Sequence, residues 1–292
     1  MILLTEYLSN KITTPSKTGT ITATDDNIKE IVINELKRFG KKANLNHIDV
    51  SQVTNMDNLF TNLREVGRWH KEINPDISEW DVSNVRTAKS MFSGCIKFNC
   101  DLSNWNTTSL LYAEYMFLDC KEFNQPLNDW NVFNIRNMTY MFGRCEKFNQ
   151  DLNKWNVYNC RNFSSMFADC KSFNGDITNW KFKKAKKFGA MFSNCESFNQ
   201  DISNWNVEKV EDFSYMFRRC SIFNQDISNW KLTSAKSVSY MFQDCLAFNQ
   251  DLSNWDFTNI KLKTSVFDHC GISRKNRHAG ESKLNDFIKR FV

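Results

Sequence analysis

The chain has 292 residues, of which 41% are hydrophobic, 14% aromatic and 24% charged, and its formal net charge at pH 7 is +5. Only three prolines and nine glycines occur, so the composition excludes a disordered or linker-rich chain. No run of about 20 apolar residues is present, which argues against a membrane-spanning segment. The mild charge excess does not by itself indicate a nucleic-acid-binding protein.

The N-terminus carries no recognisable secretory signal. Ile2, Leu3 and Leu4 are apolar, but Glu6 follows at once, and neither a basic start nor an apolar core of about 7–15 residues is present. We therefore expect a cytoplasmic protein, with the cell surface or secretion by a non-classical route as the alternative.

The first predicted element is a helix within residues 24–40. Ile28, Val32 and Leu36 recur four apart and define one apolar face. Thr24 or Asp25 is the expected N-cap, and Gly40 is the expected stop. Residues 1–44 are therefore predicted to form a tail and a cap helix that covers the first repeat.

Residues 45–270 form tandem repeats with a step of 25 residues, which leaves no room for a separate second domain. Each regular copy carries one tryptophan and one Met-Phe-x-x-Cys motif, and the last motif is degenerate. The tryptophans are Trp80, Trp105, Trp130, Trp155, Trp180, Trp205, Trp230 and Trp255. The cysteines are Cys95, Cys120, Cys145, Cys170, Cys195, Cys220, Cys245 and Cys270. The first copy, near Leu45, is divergent and is followed by an insertion at Arg64–His70, whose role the sequence does not indicate.

Two segments of each repeat suggest regular structure. Residues 77–82 predict a short strand, with apolar side chains at Ile77, Trp80 and Val82. Residues 85–95 predict a helix of about three turns, because apolar residues recur there every three to four positions. We therefore expect an α/β fold, a right-handed solenoid like a leucine-rich repeat, with about nine 25-residue coils and helical end caps. Residues 271–292 contain the predicted C-terminal cap helix, with Leu284, Ile288 and Phe291 on one face.

The segment FNQDISNWNVEKVEDFSYMFRRC (198–220) and its copies resemble the BspA-like leucine-rich-repeat family, also seen in Mycoplasma surface lipoproteins. The resemblance covers about three quarters of the chain. It implies a leucine-rich-type solenoid with a role in adhesion or protein recognition, and it implies no catalytic residues.

The recurring polar and sulfur side chains have structural and functional interpretations. Equivalent cysteines point in parallel, so a buried, reduced ladder is favoured over disulfides. Zinc needs four converging ligands, and His269, Cys270 and His278 are only a weak candidate. Recurring aspartates, such as Asp201, and the nearby asparagines suggest hydrogen bonds to turn backbone more strongly than calcium binding, which takes six to eight oxygen ligands. We expect no metal and no cofactor, and we assign the tryptophan and Met-Phe columns to the core.

The variable residues that flank the short predicted strand are the candidate partner-binding site, on the concave strand face. They are Phe133, Tyr158, Lys181, Lys183, Glu208 and Lys231. Two aromatic residues beside the basic run Lys181–Lys187 suit either an acidic protein segment or phosphates. An ordinary solvated surface is the alternative interpretation.

No phosphate loop, G-x-S-x-G or H-E-x-x-H motif is present, so we do not expect an enzyme. The sequence favours a non-enzymatic repeat scaffold that recognises a protein partner through its concave strand face. The alternatives are an exported surface adhesin or host-directed effector, and a polyanion or nucleic-acid binder that uses Lys181–Lys187. A protein partner is favoured over a nucleic acid because the net charge is modest.

Overall fold

A computed structural model describes residues 19–67 and 70–277. The N-terminal part contains strand β1 (Ile21–Thr22), helix α1 (Ile28–Phe39) and strand β2 (Ile48–Asp49). The two strands pair in parallel, with Ile21 opposite Ile48. Three short 3-10 helices follow, at Arg64–Val66, His70–Glu72 and Arg274–Asn276.

Helix α1 is present in the segment where the sequence predicts a helix. Its side chains Ile28, Val32 and Leu36 are buried in the core. It ends at Gly40, which has a left-handed φ of 86° and donates its backbone N–H to Leu36 O at 2.8 Å. Glycine adopts this conformation without steric cost, so the predicted stop is confirmed.

The predicted N-cap is wrong. The helix begins at Ile28, directly after Asn27, and neither Thr24 nor Asp25 caps it. The Asp25 carboxylate instead accepts hydrogen bonds from the backbone N–H groups of Thr54 and Asn55, at 2.7 and 2.9 Å. Asp25 therefore ties the segment before α1 to the first repeat.

The predicted helix in each repeat is also wrong, because residues at this position form consecutive turns. In the repeat 152–176, Met166 N–H donates to Phe163 O at 3.1 Å, and Cys170 N–H donates to Phe167 O at 2.9 Å. Each turn places two apolar residues three positions apart. This spacing resembles one face of a helix, which explains the error.

Backbone N–H and C=O groups that would pair within a helix form hydrogen bonds between neighbouring repeats instead. Phe163 N–H donates to Lys187 O at 2.9 Å, and Ser165 N–H donates to Gly189 O at 2.8 Å. Left-handed φ angles of 56° at Ser165 and 61° at Asp169 are incompatible with an α-helix. The repeat therefore satisfies its backbone by contact with its neighbours instead of forming a helix.

The predicted strand at Ile77–Val82 is likewise formed by turns, in which Trp80 N–H donates to Ile77 O at 3.2 Å. Parallel bridges join successive repeats at a different position, with one residue from each repeat. The bridged residues are Asn55, Thr87, Tyr112, Asn137, Asn162, Lys187, Asp212, Ser237 and Leu262. Neighbouring copies therefore lie in register along the array.

The predicted insertion is confirmed by the spacing of paired residues. Asn44 pairs with Asp76 across 32 residues, whereas Asn99 and Asn124 are related by 25. The extra residues contribute the 3-10 helices Arg64–Val66 and His70–Glu72, and the first of these packs against α1.

A continuous apolar core runs through the repeats. Its most regular feature is a column of parallel phenylalanine rings, in which the centroids of neighbouring rings lie 5.4–5.8 Å apart from Phe92 to Phe267. No repeat buries this surface alone, so each one depends on its neighbours for stability.

The predicted C-terminal cap at residues 281–292, with Leu284, Ile288 and Phe291, lies outside the described residues, as does the tail 1–18. Within residues 19–67 and 70–277, no helix is long and apolar enough to cross a membrane.

Candidate functional site

The eight repeat tryptophans lie in the core, as the sequence predicts. Trp105 and Trp130 have parallel rings with centroids 6.1 Å apart. Trp155 Nε1 donates to Leu127 O at 2.7 Å, and Trp180 Nε1 donates to Leu152 O at 2.7 Å. The indole groups therefore join successive repeats by ring stacking and by a hydrogen bond.

Trp205, which packs against Phe182 within the basic run, is an exception. Its Nε1 atom is buried and has no hydrogen-bond partner. Phe182 stands where the neighbouring repeats have Val157 and Val207, and its ring meets that of Trp205 edge-on, with centroids 4.9 Å apart. A bulkier, half-buried residue thus accompanies the lost hydrogen bond.

The ladder cysteines are buried thiols, except Cys270, which is half-buried. Cys145 Sγ donates to Phe117 O at 3.0 Å, and Cys170 Sγ donates to Phe142 O at 2.9 Å. Burial raises the pKa of the Cys95 thiol to about 12. A reactive thiolate is therefore disfavoured, and these cysteines serve as core residues and as hydrogen-bond donors.

The recurring aspartates and asparagines bond to turn backbone, as predicted. Asp201 Oδ1 accepts from Ser203 N–H at 3.0 Å, and Asn124 Oδ1 accepts from Asn149 N–H in the next repeat at 2.9 Å. No group of three or more His, Cys, Asp or Glu side chains is placed to hold a metal ion within the described ranges. His278, one member of the candidate zinc set, lies outside those ranges.

All six predicted partner-binding residues are exposed: Phe133, Tyr158, Lys181, Lys183, Glu208 and Lys231. The exposed fractions of Phe133 and Tyr158 are 41% and 38%, which is high for aromatic side chains. They lie on turns, however, and not on the strand that the sequence predicted. The surface is therefore formed by stacked turns.

The structure brings three of these residues together. Asn159 Nδ2 donates to Phe133 O at 3.1 Å, which places the turns that carry Phe133 and Tyr158 side by side. The Lys183 ammonium group, one repeat further on, lies 5.1 Å from the centroid of the Tyr158 ring. This contact is a cation–π interaction.

Two arginines that sequence reasoning missed adjoin this group. Arg161 N–H donates to Arg136 O at 2.9 Å, and Lys186 N–H donates to Arg161 O at 2.8 Å. The three residues therefore follow one another in a single column. The 25-residue step relates Arg136, Arg161 and Lys186, so comparing equivalent positions for charge would have found them.

We call this region the aromatic-basic surface. It consists of Phe133, Arg136, Tyr158, Arg161, Lys181, Lys183, Lys184, Lys186 and Lys187. Glu208 and Lys231 lie beyond it, in the next two repeats. Glu211 borders the surface and pairs with Lys186 at 2.7 Å and with Lys236. The Lys186 hydrogen bond, followed by that of Lys236, lowers the pKa of Glu211 to about 2.

Comparison with curated proteins finds no match. The sequence profile of one family, described as "Mycoplasma protein of unknown function, DUF285", matches three overlapping segments, at residues 27–145, 115–201 and 175–279. These matches extend over most of the chain and follow the tandem repeats that the structure stacks in register. The chain therefore belongs to the DUF285 family of Mycoplasma proteins of unknown function.

Proposed function

We propose that the chain is a non-enzymatic solenoid scaffold of the leucine-rich-repeat type, which binds a protein partner through its aromatic-basic surface. One contrast carries the proposal. Buried positions repeat the same residue types along the array, whereas the exposed position that holds Phe133 and Tyr158 holds Thr108 before them and Lys183 and Glu208 after them. Stacking of the repeats requires the buried residues to stay alike, while the varied exposed residues are available for recognition.

The two aromatic residues are the expected anchors of the interface. Exposed aromatic rings are costly to hydrate and contribute strongly when a partner covers them. Phe133 and Tyr158 follow one another on the surface, and the cations around them add charge selectivity. This combination suits a protein interface, with apolar contacts at its centre and charges around it.

The test compares aromatic residues of matched exposure. The full chain and its double variant Phe133→Ala, Tyr158→Ala are used to capture partners from native cells, and captured proteins are identified and titrated. Tyr215→Ala is the control, because Tyr215 is 39% exposed but lies outside the surface. We expect the double variant to lose the partner and the control to retain it. Equal capture by all three chains would overturn the proposal.

A polyanion is the second candidate, and the stacked cations Arg136, Arg161 and Lys186 favour it. The test is retention on heparin as salt is increased. The double variant Lys183→Glu, Lys186→Glu is expected to elute at clearly lower salt if a polyanion binds here. Unchanged retention would remove this candidate without affecting the first.

A further inference from the structure

Building on the proposed function, we infer that the aromatic-basic surface binds a short, extended, acidic segment of the partner protein. The central observation is a column of like charges. Arg136, Arg161 and Lys186 are joined by backbone hydrogen bonds of 2.9 and 2.8 Å, so their side chains leave the backbone in adjacent rows. Rows in such a ladder are about 4.8 Å apart.

Elsewhere on the array, several charges on neighbouring repeats are paired with a charge of opposite sign. Lys121 pairs with Glu146 at 2.9 Å, and Lys154 pairs with Asp129 at 2.8 Å. Like charges directly opposite each other destabilise a ladder. Arg136 and Arg161 carry the same charge on neighbouring repeats, and bound carboxylates would relieve their mutual repulsion.

The segments that carry the surface contain no carboxylate of their own. Residues 131–139, 156–164 and 181–189 include seven lysines and arginines and neither Asp nor Glu. Lys186 already pairs with Glu211, whereas Lys184 donates to the amide oxygen of Asn159 at 2.8 Å. The remaining positive charge is available to an anionic partner from outside these segments.

The neighbouring aromatic residues define what else the ligand carries. Phe133 lies three residues before Arg136, and Tyr158 lies three residues before Arg161. The Cα atoms of each pair are therefore within about 11 Å of each other. An extended peptide presents successive side chains to opposite sides. It can place carboxylates on the cationic column and apolar side chains against the rings.

The borders of the surface favour a short peptide over a long polyanion. Glu208, Glu211 and Asp212 occupy the next repeat, where a continuous row of phosphates along the column would meet them. The uninterrupted positive region is three repeats wide, or about 10 Å between its outer rows, and this matches about three residues of extended chain.

The experiment uses a fluorescein-labelled 12-residue peptide in which glutamate alternates with leucine and phenylalanine. Its binding to the full chain is followed by fluorescence anisotropy, beside an otherwise identical peptide with glutamine for glutamate. The test variant is Arg136→Glu, Arg161→Glu. The matched control is Arg86→Glu, Lys261→Glu, which makes the same charge change at the equivalent repeat position outside the surface.

We expect the test variant to weaken binding of the glutamate peptide by about tenfold or more, because attraction becomes repulsion at two sites. The control should stay within about twofold, and the glutamine peptide should bind weakly to every chain. Equal weakening in both variants, or no binding to the original chain, overturns the inference. So does stronger binding of heparin or single-stranded DNA than of the peptide. Partner capture that needs Phe133 and Tyr158 but neither arginine would overturn the inference and leave the proposed function standing.

Discussion

Trp155 Nε1 donates a 2.7 Å hydrogen bond to the backbone carbonyl of Leu127 in the preceding repeat. The equivalent atom of Trp205 is buried but has no partner. Replacement of either tryptophan by phenylalanine removes similar volume, but only Trp155→Phe leaves a formerly bonded carbonyl unpaired. We therefore expect Trp155→Phe to reduce the free energy of unfolding by about 1–2 kcal/mol more than Trp205→Phe.

Urea denaturation of both variants, followed by circular dichroism, measures this difference. The single variant Phe182→Val tests whether the bulky ring causes the missing bond, because it keeps the Trp205 indole. If the ring is the cause, Trp205→Phe made in the Phe182→Val background should cost about as much stability as Trp155→Phe. Equal destabilisation by Trp155→Phe and Trp205→Phe would contradict the assignment of the hydrogen bonds.

Two positions in each regular repeat have left-handed backbone, and one of them is Ala190, with a φ of 54°. Alanine is strained in this conformation by about 1–2 kcal/mol, whereas glycine is not. Glycine also gains entropy in the unfolded chain, which offsets part of the benefit. We expect Ala190→Gly to increase the free energy of unfolding by about 0.5–1 kcal/mol.

Gly94→Ala is the converse variant. Gly94 has a φ of 80°, and an added Cβ would meet no atom within 4 Å, so backbone strain alone is introduced. Its free energy of unfolding should fall by about 1 kcal/mol. Changes of the same sign at Ala190 and Gly94 would show that side-chain packing, and not backbone strain, governs these two positions of the repeat.

The sequence was sufficient for the array but not for the path of the chain within one repeat. The 25-residue recurrence of residues such as Trp105 and Cys120 identified the core columns, because only stacking buries such residues at every copy. The turns were missed because two apolar residues three apart, as in Phe163 and Met166, fit both a helix and an i to i+3 turn. The outcome depends on hydrogen bonds to the next repeat, which no local pattern reports.

The candidate site was likewise predicted only in part from the sequence. Phe133 and Tyr158 were identified from their position in the repeat, and both are exposed. Arg136 and Arg161 were missed because each is the only charged residue in its segment, so neither forms a basic cluster along the chain. Their significance arises from adjacency across repeats, where Arg161 N–H donates to Arg136 O at 2.9 Å. A surface built across repeats is therefore identified by comparing residues 25 positions apart, and not residues adjacent in the chain.

The asparagine ladder makes a further prediction. Asn124 Oδ1 accepts from Asn149 N–H at 2.9 Å, and Asn124 N–H donates to Asn99 Oδ1 at 2.9 Å. Asn124→Ala removes the acceptor and should lower the free energy of unfolding by about 1–2 kcal/mol. Asn124→Asp keeps an acceptor oxygen and should lose clearly less. Thermal and urea denaturation compare the two, and equal losses would exclude the ladder bond as a source of stability.

The half-buried cysteines should react before the others. Eight of the ten cysteines are fully buried, whereas Cys100 and Cys270 are half-buried. Burial raises the pKa of Cys100 to about 11, which slows but does not block alkylation of an accessible thiol. Iodoacetamide and peptide mass mapping should find these two modified first in the native chain. About ten thiols should react in urea without reductant, and Cys95 modified ahead of Cys100 would contradict the burial order.

The buried thiols also make stability depend on alkaline pH. Burial raises the pKa of Cys95 and of Cys160 from 9.0 to about 12. Because the folded chain holds these protons more tightly than the unfolded chain, their contribution is complete below pH 9 and is lost as pH rises from 9 to 12. Each such thiol should reduce the free energy of unfolding by about 1.4 kcal/mol per pH unit in that range.

Urea denaturation at pH 7.5, 9.5 and 10.5 measures the slope. Cys95→Ala removes one titrating group, at the cost of a lower starting stability. The variant should therefore be less stable at pH 7.5 but lose stability less steeply above pH 9. A slope that is the same with and without Cys95 would mean that this thiol ionises as readily in the folded chain as in the unfolded chain, and that its burial is not maintained in solution.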